Sequence, residues 1–210
     1  MKLTHYGHAC VLVEFEDGRR ALFDPGTYSA GFEECADLDL VLITHAHPDH
    51  LDTTRLQALL ELSPDAVVVT NSEVGDSLQL GPRDVVVDGT SVFGVAGFRV
   101  QPTGAEHAVI HPDLPQTANT GFILDESVWH PGDAFDATPS HVDVLLLPVG
   151  GPFMKIADAI DFARAVKPRV IVPIHQAGLA DKHRQLHYQL IKNLVDSKIQ
   201  VLPEGHAQEV

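Results

Sequence analysis

The chain has 210 residues, 44% of them hydrophobic, enough for one well-buried core and short for two domains of ordinary size, so a single domain over 1–210 is expected. Its formal charge of -15 and its lack of a basic cluster exclude nucleic acid and anionic membrane surfaces as expected partners. No window approaches the ~18 consecutive apolar residues of a membrane span, and no basic-then-apolar leader opens the chain, so a cytoplasmic protein is expected.

In chain order, 9–15 is an apolar run, Asp17-Gly18 is a hairpin signal and 20–24 returns as its partner strand. Cys10 lies in the first of these and Cys35 in the Gly-rich loop that follows over 25–37. Two cysteines cannot build a disulfide framework or a cysteine-ligated cluster. Residues 38–44 read as an interior strand. Past the segment 45–50, apolar residues at 56, 59 and 60 give 51–62 helical spacing. A strand over 65–70, a short helix over 72–80 and two or three strands within 84–101 come next. The segments 120–125 and 128–130 form a second predicted hairpin, and 142–148 a buried strand. A helix over 156–166 carries Ile156, Ala159, Ile160 and Ala163 on one stripe and is closed by Pro168. The strand 169–174 ends on His175, a helix over 182–197 is predicted to bury Leu190, Ile191 and Leu194, and 199–202 is the expected last strand. Each half therefore runs from paired strands into strand–helix–strand units, which suggests two sheets face to face with helices outside.

Thirteen histidines exceed what packing needs and point to metal. The densest group, His45-Ala46-His47-Pro48-Asp49-His50, sits on a strand-to-helix loop. Imidazole and carboxylate suit zinc and related ions. At this spacing His45 and His47 can converge on one ion, while Asp49 and His50 turn toward a second.

This loop resembles that of the metallo-β-lactamase superfamily, whose fold is a four-layer α/β/β/α sandwich with ligands along one edge. The resemblance covers most of the chain. It adds His107 in Gly104-Ala105-Glu106-His107, Asp133 in His130-Pro131-Gly132-Asp133, and His175 in Val172-Pro173-Ile174-His175. It implies that His45, His47 and His107 hold one ion, that Asp49, His50 and His175 hold another, and that Asp133 lies between them. Closer likeness is to a branch that includes the L-ascorbate-6-phosphate lactonase, carried by Tyr6-Gly7-His8-Ala9, Leu147-Pro148-Val149-Gly150-Gly151 with Phe153-Met154, and Pro173-Ile174-His175. In that branch the early histidine is near the metals, so His8 is a candidate outer-shell or auxiliary ligand. Where relatives place an aromatic and a hydroxyl residue after the last ligand, this chain has Gln176-Ala177-Gly178, which bears on substrate identity. His111, in a Pro-rich loop, is either a substrate contact or an exposed loop residue. His183 and His187, four apart on the last helix, are better explained by a solvated face than by another metal site.

The expected chemistry is hydrolysis of a small ester, lactone or amide-type substrate at two divalent ions. The ions are zinc by this reading, with manganese, nickel or iron also accepted by such ligands. The pair lowers the pKa of a shared water, and Asp49 orients that water and passes a proton to the leaving group. Phosphodiester hydrolysis is the first alternative, followed by di-iron redox chemistry and a non-catalytic metal-binding module. A homo-oligomer is left open.

Overall fold

The computed structural model describes residues 1–78, 81–82, 84–135 and 142–210. The first half contains β1 (Lys2–His5), β2 (Val11–Glu14), β3 (Arg20–Phe23), a 3-10 turn at Phe32–Glu34, β4 (Leu40–Ile43), α1 (Thr53–Leu62), β5 (Val67–Thr70), α2 (Ser72–Leu78) and β6 (Val85–Val86). The second half contains β7 (Phe93–Val95), β8 (Phe98–Thr103), β9 (Gly121–Leu124), β10 (Val128–His130), β11 (Val144–Pro148), α3 (Ile156–Val166), β12 (Val170–Ile174), α4 (Asp181–Leu194), β13 (Lys198–Ile199) and β14 (Gln208–Glu209). They form two sheets, in the orders β14-β1-β2-β3-β4-β5-β6 and β13-β12-β11-β10-β9-β8-β7.

The apolar runs are continuous because both faces of each sheet are covered. Alternate side chains of β4 divide between two cores. Leu40 and Leu42 meet Val144, Leu146, Val170 and Val172 of the facing sheet, while Val41 and Ile43 meet Leu56 and Leu59 of α1. In the other sheet Leu145, Leu147 and Ile171 turn outward to Ala159, Ile160 and Ala163 of α3 and Ile191 of α4. These three cores give the expected α/β/β/α layering.

Strand direction decides where the site lies. The antiparallel pairs β1·β2 and β2·β3 and the parallel pair β3·β4 make β1, β3 and β4 run the same way. By the same count β8, β10, β11 and β12 share a direction in the second sheet. Each of these strands except β3 and β11 is followed by a candidate histidine or aspartate, so the candidates collect where strand carboxyl ends open.

Some elements differ from expectation. The last strand stops at Ile199 instead of spanning 199–202. Gln200 still donates its N–H to the Ile171 carbonyl, but Val201 is exposed and Pro203 has no N–H to continue a ladder. The polar pair of β14, absent from the sequence reading, joins β1 instead. Helix α4 ends at Leu194, which is exposed, because the helix seats through Ile191 and Val195, four apart. Residues 79 and 80 of the helix expected over 72–80 lie outside the described residues.

Candidate metal centre

The loop after β4 turns back on itself at once: the N–H groups of His50 and Leu51 both donate to the His47 carbonyl. Asp52 then caps α1 by accepting from the Thr54 and Arg55 N–H groups. The Arg55 guanidinium donates to the Ser29 and Gly26 carbonyls, tying the loop after β3 to this helix. Gly26 lies so close to the histidine loop that a Cβ there would stand 1.8 Å from the Asp49 carbonyl oxygen. Across the gap, Gly132 has φ +65, and a Cβ on it would meet Asn119 Oδ1 at 2.1 Å. That same Asn119 oxygen accepts the Asp133 N–H at 3.0 Å.

All seven expected ligands are brought together, in two groups. His45, His47, His107 and Asp133 form one, and His8, Asp49, His50 and His175 the other, the ligand-type atoms of each lying within 4.8 Å of one another. The carboxylate of Asp133 stands between the groups. It is 3.3 Å from His107 Nε2, 3.9 Å from His45 Nε2, 3.3 Å from His50 Nε2 and 3.0 Å from His175 Nε2.

Ring tautomers follow from what each Nδ1 touches. His107 Nδ1 donates to the Ala108 carbonyl at 2.6 Å and His175 Nδ1 to the Gly150 carbonyl at 2.5 Å. His50 Nδ1 donates to Asp24 Oδ2 at 2.7 Å. Thr44 Oγ1 donates to the same oxygen at 2.7 Å and accepts from His45 Nδ1 at 2.9 Å. With their protons held at Nδ1, these four rings present Nε2 lone pairs toward Asp133. The Nε2 atoms of His50, His107 and His175, and Asp133 Oδ1, are buried without a hydrogen-bond partner. Lone pairs facing a carboxylate inside a core are costly unless a cation lies among them, so the donor set fits divalent metal. The outer acceptors on Nδ1 are those that ligating histidines require.

Electrostatics agree with that fit. Burial pushes His45 well below the usual imidazole range, leaving it neutral as a ligand must be. At His50 burial opposes charge, but the Asp133 and Asp24 carboxylates outweigh it and raise the pKa. A field that holds a proton there also draws a cation.

His8 has the opposite tautomer. Its Nδ1 accepts the Ala177 N–H at 3.4 Å, so Nε2 carries the proton and donates it to Asp49 Oδ2 at 3.0 Å. The ring packs 3.9 Å from that of His175, and the His8 carbonyl accepts the His175 N–H at 2.8 Å. Both residues have positive φ, 50° and 61°, so the two backbone turns are locked to each other. Burial lowers the His8 pKa to about 4 despite the Asp49 hydrogen bond. Asp49 itself falls to about 2: burial alone would raise it, and the His8 hydrogen bond and nearby imidazoles outweigh burial.

Asp24, Thr44 and His130 were missed by the sequence reading. Asp24 is fully buried and accepts three hydrogen bonds, counting the Thr44 N–H at 2.8 Å, while His130 Nε2 lies 3.5 Å away. The available signal was a carboxylate directly ending an apolar strand, before Pro25. His130 donates to the Ala9 carbonyl and stacks on Phe23 behind His50. His111 is a rim residue, its ring 61% exposed and accepting the Asp113 N–H. His187 donates to the Val149 carbonyl, which ties α4 to the loop after β11. His141 lies outside the described residues.

Residues 2–175 match the family model described as "Beta-lactamase superfamily domain". The chain belongs to the metallo-β-lactamase superfamily. Within it, the chain is 42% identical over 212 residues to Protein Rv0786c of Mycobacterium tuberculosis, with 99% of each covered. It is 30% identical over 229 residues to a UPF0173 metal-dependent hydrolase of Methanosphaerula palustris, with 100% of each covered. Among solved structures, Igni18, a metallo hydrolase from Ignicoccus hospitalis, aligns with TM-score 0.75 at 24% identity, over 100% of this chain and 98% of that one. YhfI from Bacillus subtilis, described as a metallo-beta-lactamase fold protein, aligns with TM-score 0.71 at 17% identity, over 100% and 98%. The fold expected from the His45–His50 loop is thus that of the superfamily.

Proposed function

We propose that this metal-dependent hydrolase carries two divalent ions, zinc by preference, and cleaves a small ester, lactone or amide-type bond. His45, His47 and His107 would hold one ion, Asp49, His50 and His175 the other, and Asp133 both. The observation that carries this reading is the ring of buried, partnerless Nε2 and carboxylate atoms around Asp133. When bound, two ions supply Lewis acidity toward the substrate oxygen and lower the pKa of a water toward neutrality.

The protein's own contribution is orientation and proton movement. Asp24, Thr44 and the Ala108 and Gly150 carbonyls hold the ring protons of His50, His45, His107 and His175 at Nδ1, so these four rings carry no proton of their own on Nε2. Asp49 is 24% exposed where Asp133 is 3% exposed, so Asp49 is the carboxylate that meets solvent and substrate. In this reading it accepts a proton as the attacking water's O–H bond breaks and returns it to the leaving oxygen as the scissile bond breaks. His8 acts through Asp49: its Nε2–H fixes one carboxylate oxygen and leaves the other for the water. His8 is therefore a positioning residue and not a ligand, because ligation through Nε2 would move the proton to Nδ1, against the Ala177 N–H.

The test is metal analysis of the purified protein together with turnover of a chromogenic panel of esters, lactones and phosphodiesters. Two ions per chain with ester or lactone turnover support the reading. Cleavage confined to a small or lipid phosphodiester would move the assignment to that alternative. An ion-free protein active on the panel would end the reading.

A further inference from the structure

Each metal cluster borders its own cavity, and the two cavities share a chemistry. Beside His8, Asp49 and His175 lies a cavity of about 320 Å³ walled by Tyr28, Pro48, Pro152 and Gly178. Tyr28 is 61% exposed and stands edge-on to His8, ring centres 5.2 Å apart. Beside His47 and His107 lies a cavity of about 210 Å³, walled by Val109, Ile110, Leu114 and Pro115, with His111, Gln116 and Thr117 as its further polar members. Val109 and Leu114 are 61% and 55% exposed, an apolar rim of the kind that marks ligand contact.

Among the described residues neither lining includes lysine or arginine, and the sequence 136–141 contains none. Arg164, Lys167 and Arg169 instead line a groove of about 720 Å³ at the start of β12, whereas His175 stands at its end. Among the described residues of the two linings, a phosphate or carboxylate handle on a substrate would therefore find no guanidinium or ammonium partner. It would meet the field of a chain with formal charge -15.

We propose that the substrate is uncharged outside its scissile group and carries an apolar group on each side of it, the bulkier one seated against Tyr28. The proposal rests on the dinuclear hydrolase reading for the position of the scissile bond. Tyr28 and Pro48 supply flat apolar surface on one side, the rim of Val109 to Leu114 the other, and Gly178, with open space beyond it, leaves room for a ring.

The test uses two probes with no hydrolysable bond, 4-phenyl-2-butanone and its ring-sulfonated analogue, titrated into the zinc-loaded protein by calorimetry or ligand-observed NMR. The neutral ketone should bind at least ~10-fold tighter than the sulfonate. In a Tyr28→Arg variant of unchanged metal content that preference should vanish or reverse. Equal or tighter binding of the sulfonate by the natural sequence, or an unchanged ratio in Tyr28→Arg, overturns the proposal. Phenyl acetate turnover is followed in parallel. Binding in the expected order without turnover of any ester, lactone or phosphodiester of the chromogenic panel overturns the hydrolytic reading and supports the pocket assignment, so the two failures are distinguishable.

Discussion

Replacing Asp24 by Asn changes one buried atom and tests the outer ring of the centre. Asp24 accepts from the Thr44 N–H, the Thr44 hydroxyl and His50 Nδ1, and it is fully buried. An amide of the same shape has one acceptor oxygen. If that oxygen serves the Thr44 N–H, the NH2 faces both the Thr44 hydroxyl and the His50 N–H. His50 must then leave a buried donor unpaired, at about 1–3 kcal/mol, or shift its proton to Nε2 and lose the inward lone pair. Loss of such an outer partner typically weakens metal affinity by ~10–100-fold. Zinc titration against a chromogenic chelator should therefore show one equivalent bound that much more weakly, and urea unfolding of the metal-free variant should show the stability loss. Asp52→Ala is the control. It removes the cap of α1 at about 0.5–2 kcal/mol, and zinc affinity should not change. Should Asp24→Asn lose stability while both zinc affinities stay at their original values, the link between Asp24 and His50 as a ligand is wrong.

Asp133→Ala removes the carboxylate that faces both clusters, and elemental analysis should find at most one ion per chain; two would refute its shared role. His8→Ala should keep its metal content yet lower kcat by ~10-fold or more, and His8→Gln, whose amide N–H can still reach Asp49, should recover part of the loss. A missing ion in His8→Ala would instead make His8 a ligand. Gly132→Ala places a side chain at φ +65 against Asn119 Oδ1, so thermal unfolding should report a loss of about 1–3 kcal/mol or more; a neutral result would mean the loop before Asp133 can relax.

The candidates of the 45–50 loop and His175 were legible because they follow strands buried on both faces. Such strands read as unbroken apolar runs, at 38–44 and 169–174, and a histidine ending one is conspicuous. His107 and Asp133, after the partly exposed β8 and the short β10, were found through the family resemblance. What supports the ligands was not legible. Asp24 reaches His50 across 26 positions and His8 reaches Asp49 across 41, and pairings at such separations leave no periodic trace. Asp24-Pro25-Gly26 and His130-Pro131-Gly132 in fact end equivalent strands in the two halves. In each, proline stops the ladder and glycine admits a neighbouring segment, the Asp49–His50 backbone at Gly26 and the Asn119 and Thr44 side chains at Gly132. His8 was noticed, but its role depends on one backbone N–H, that of Ala177, which no sequence pattern reports. The ends of the chain were misread for a different reason: β13 and β14 have two residues each, too short for alternation to be measured.

Neither half of the chain owns a complete cluster. His45 and His47 follow β4 of the first sheet, whereas their companions His107 and Asp133 follow β8 and β10 of the second. His8, Asp49 and His50 come from the first sheet and meet His175 of the second. Any ion bound to either cluster would thus cross-link the two sheets at the edge where their inner core ends. Binding to the folded state alone stabilises by RT ln(1 + [L]/Kd), about 2.7 kcal/mol per site at a hundredfold excess over Kd. Chelation should therefore lower the unfolding temperature by several degrees and restore it on adding zinc. It should also raise amide exchange at the carboxyl ends of β4, β8, β10 and β12 before it does so at their amino ends. Exchange that rises uniformly, or an unfolding temperature indifferent to chelator in a protein shown to have lost its metal, would mean that the sheets dock without the ions and that the clusters serve chemistry alone.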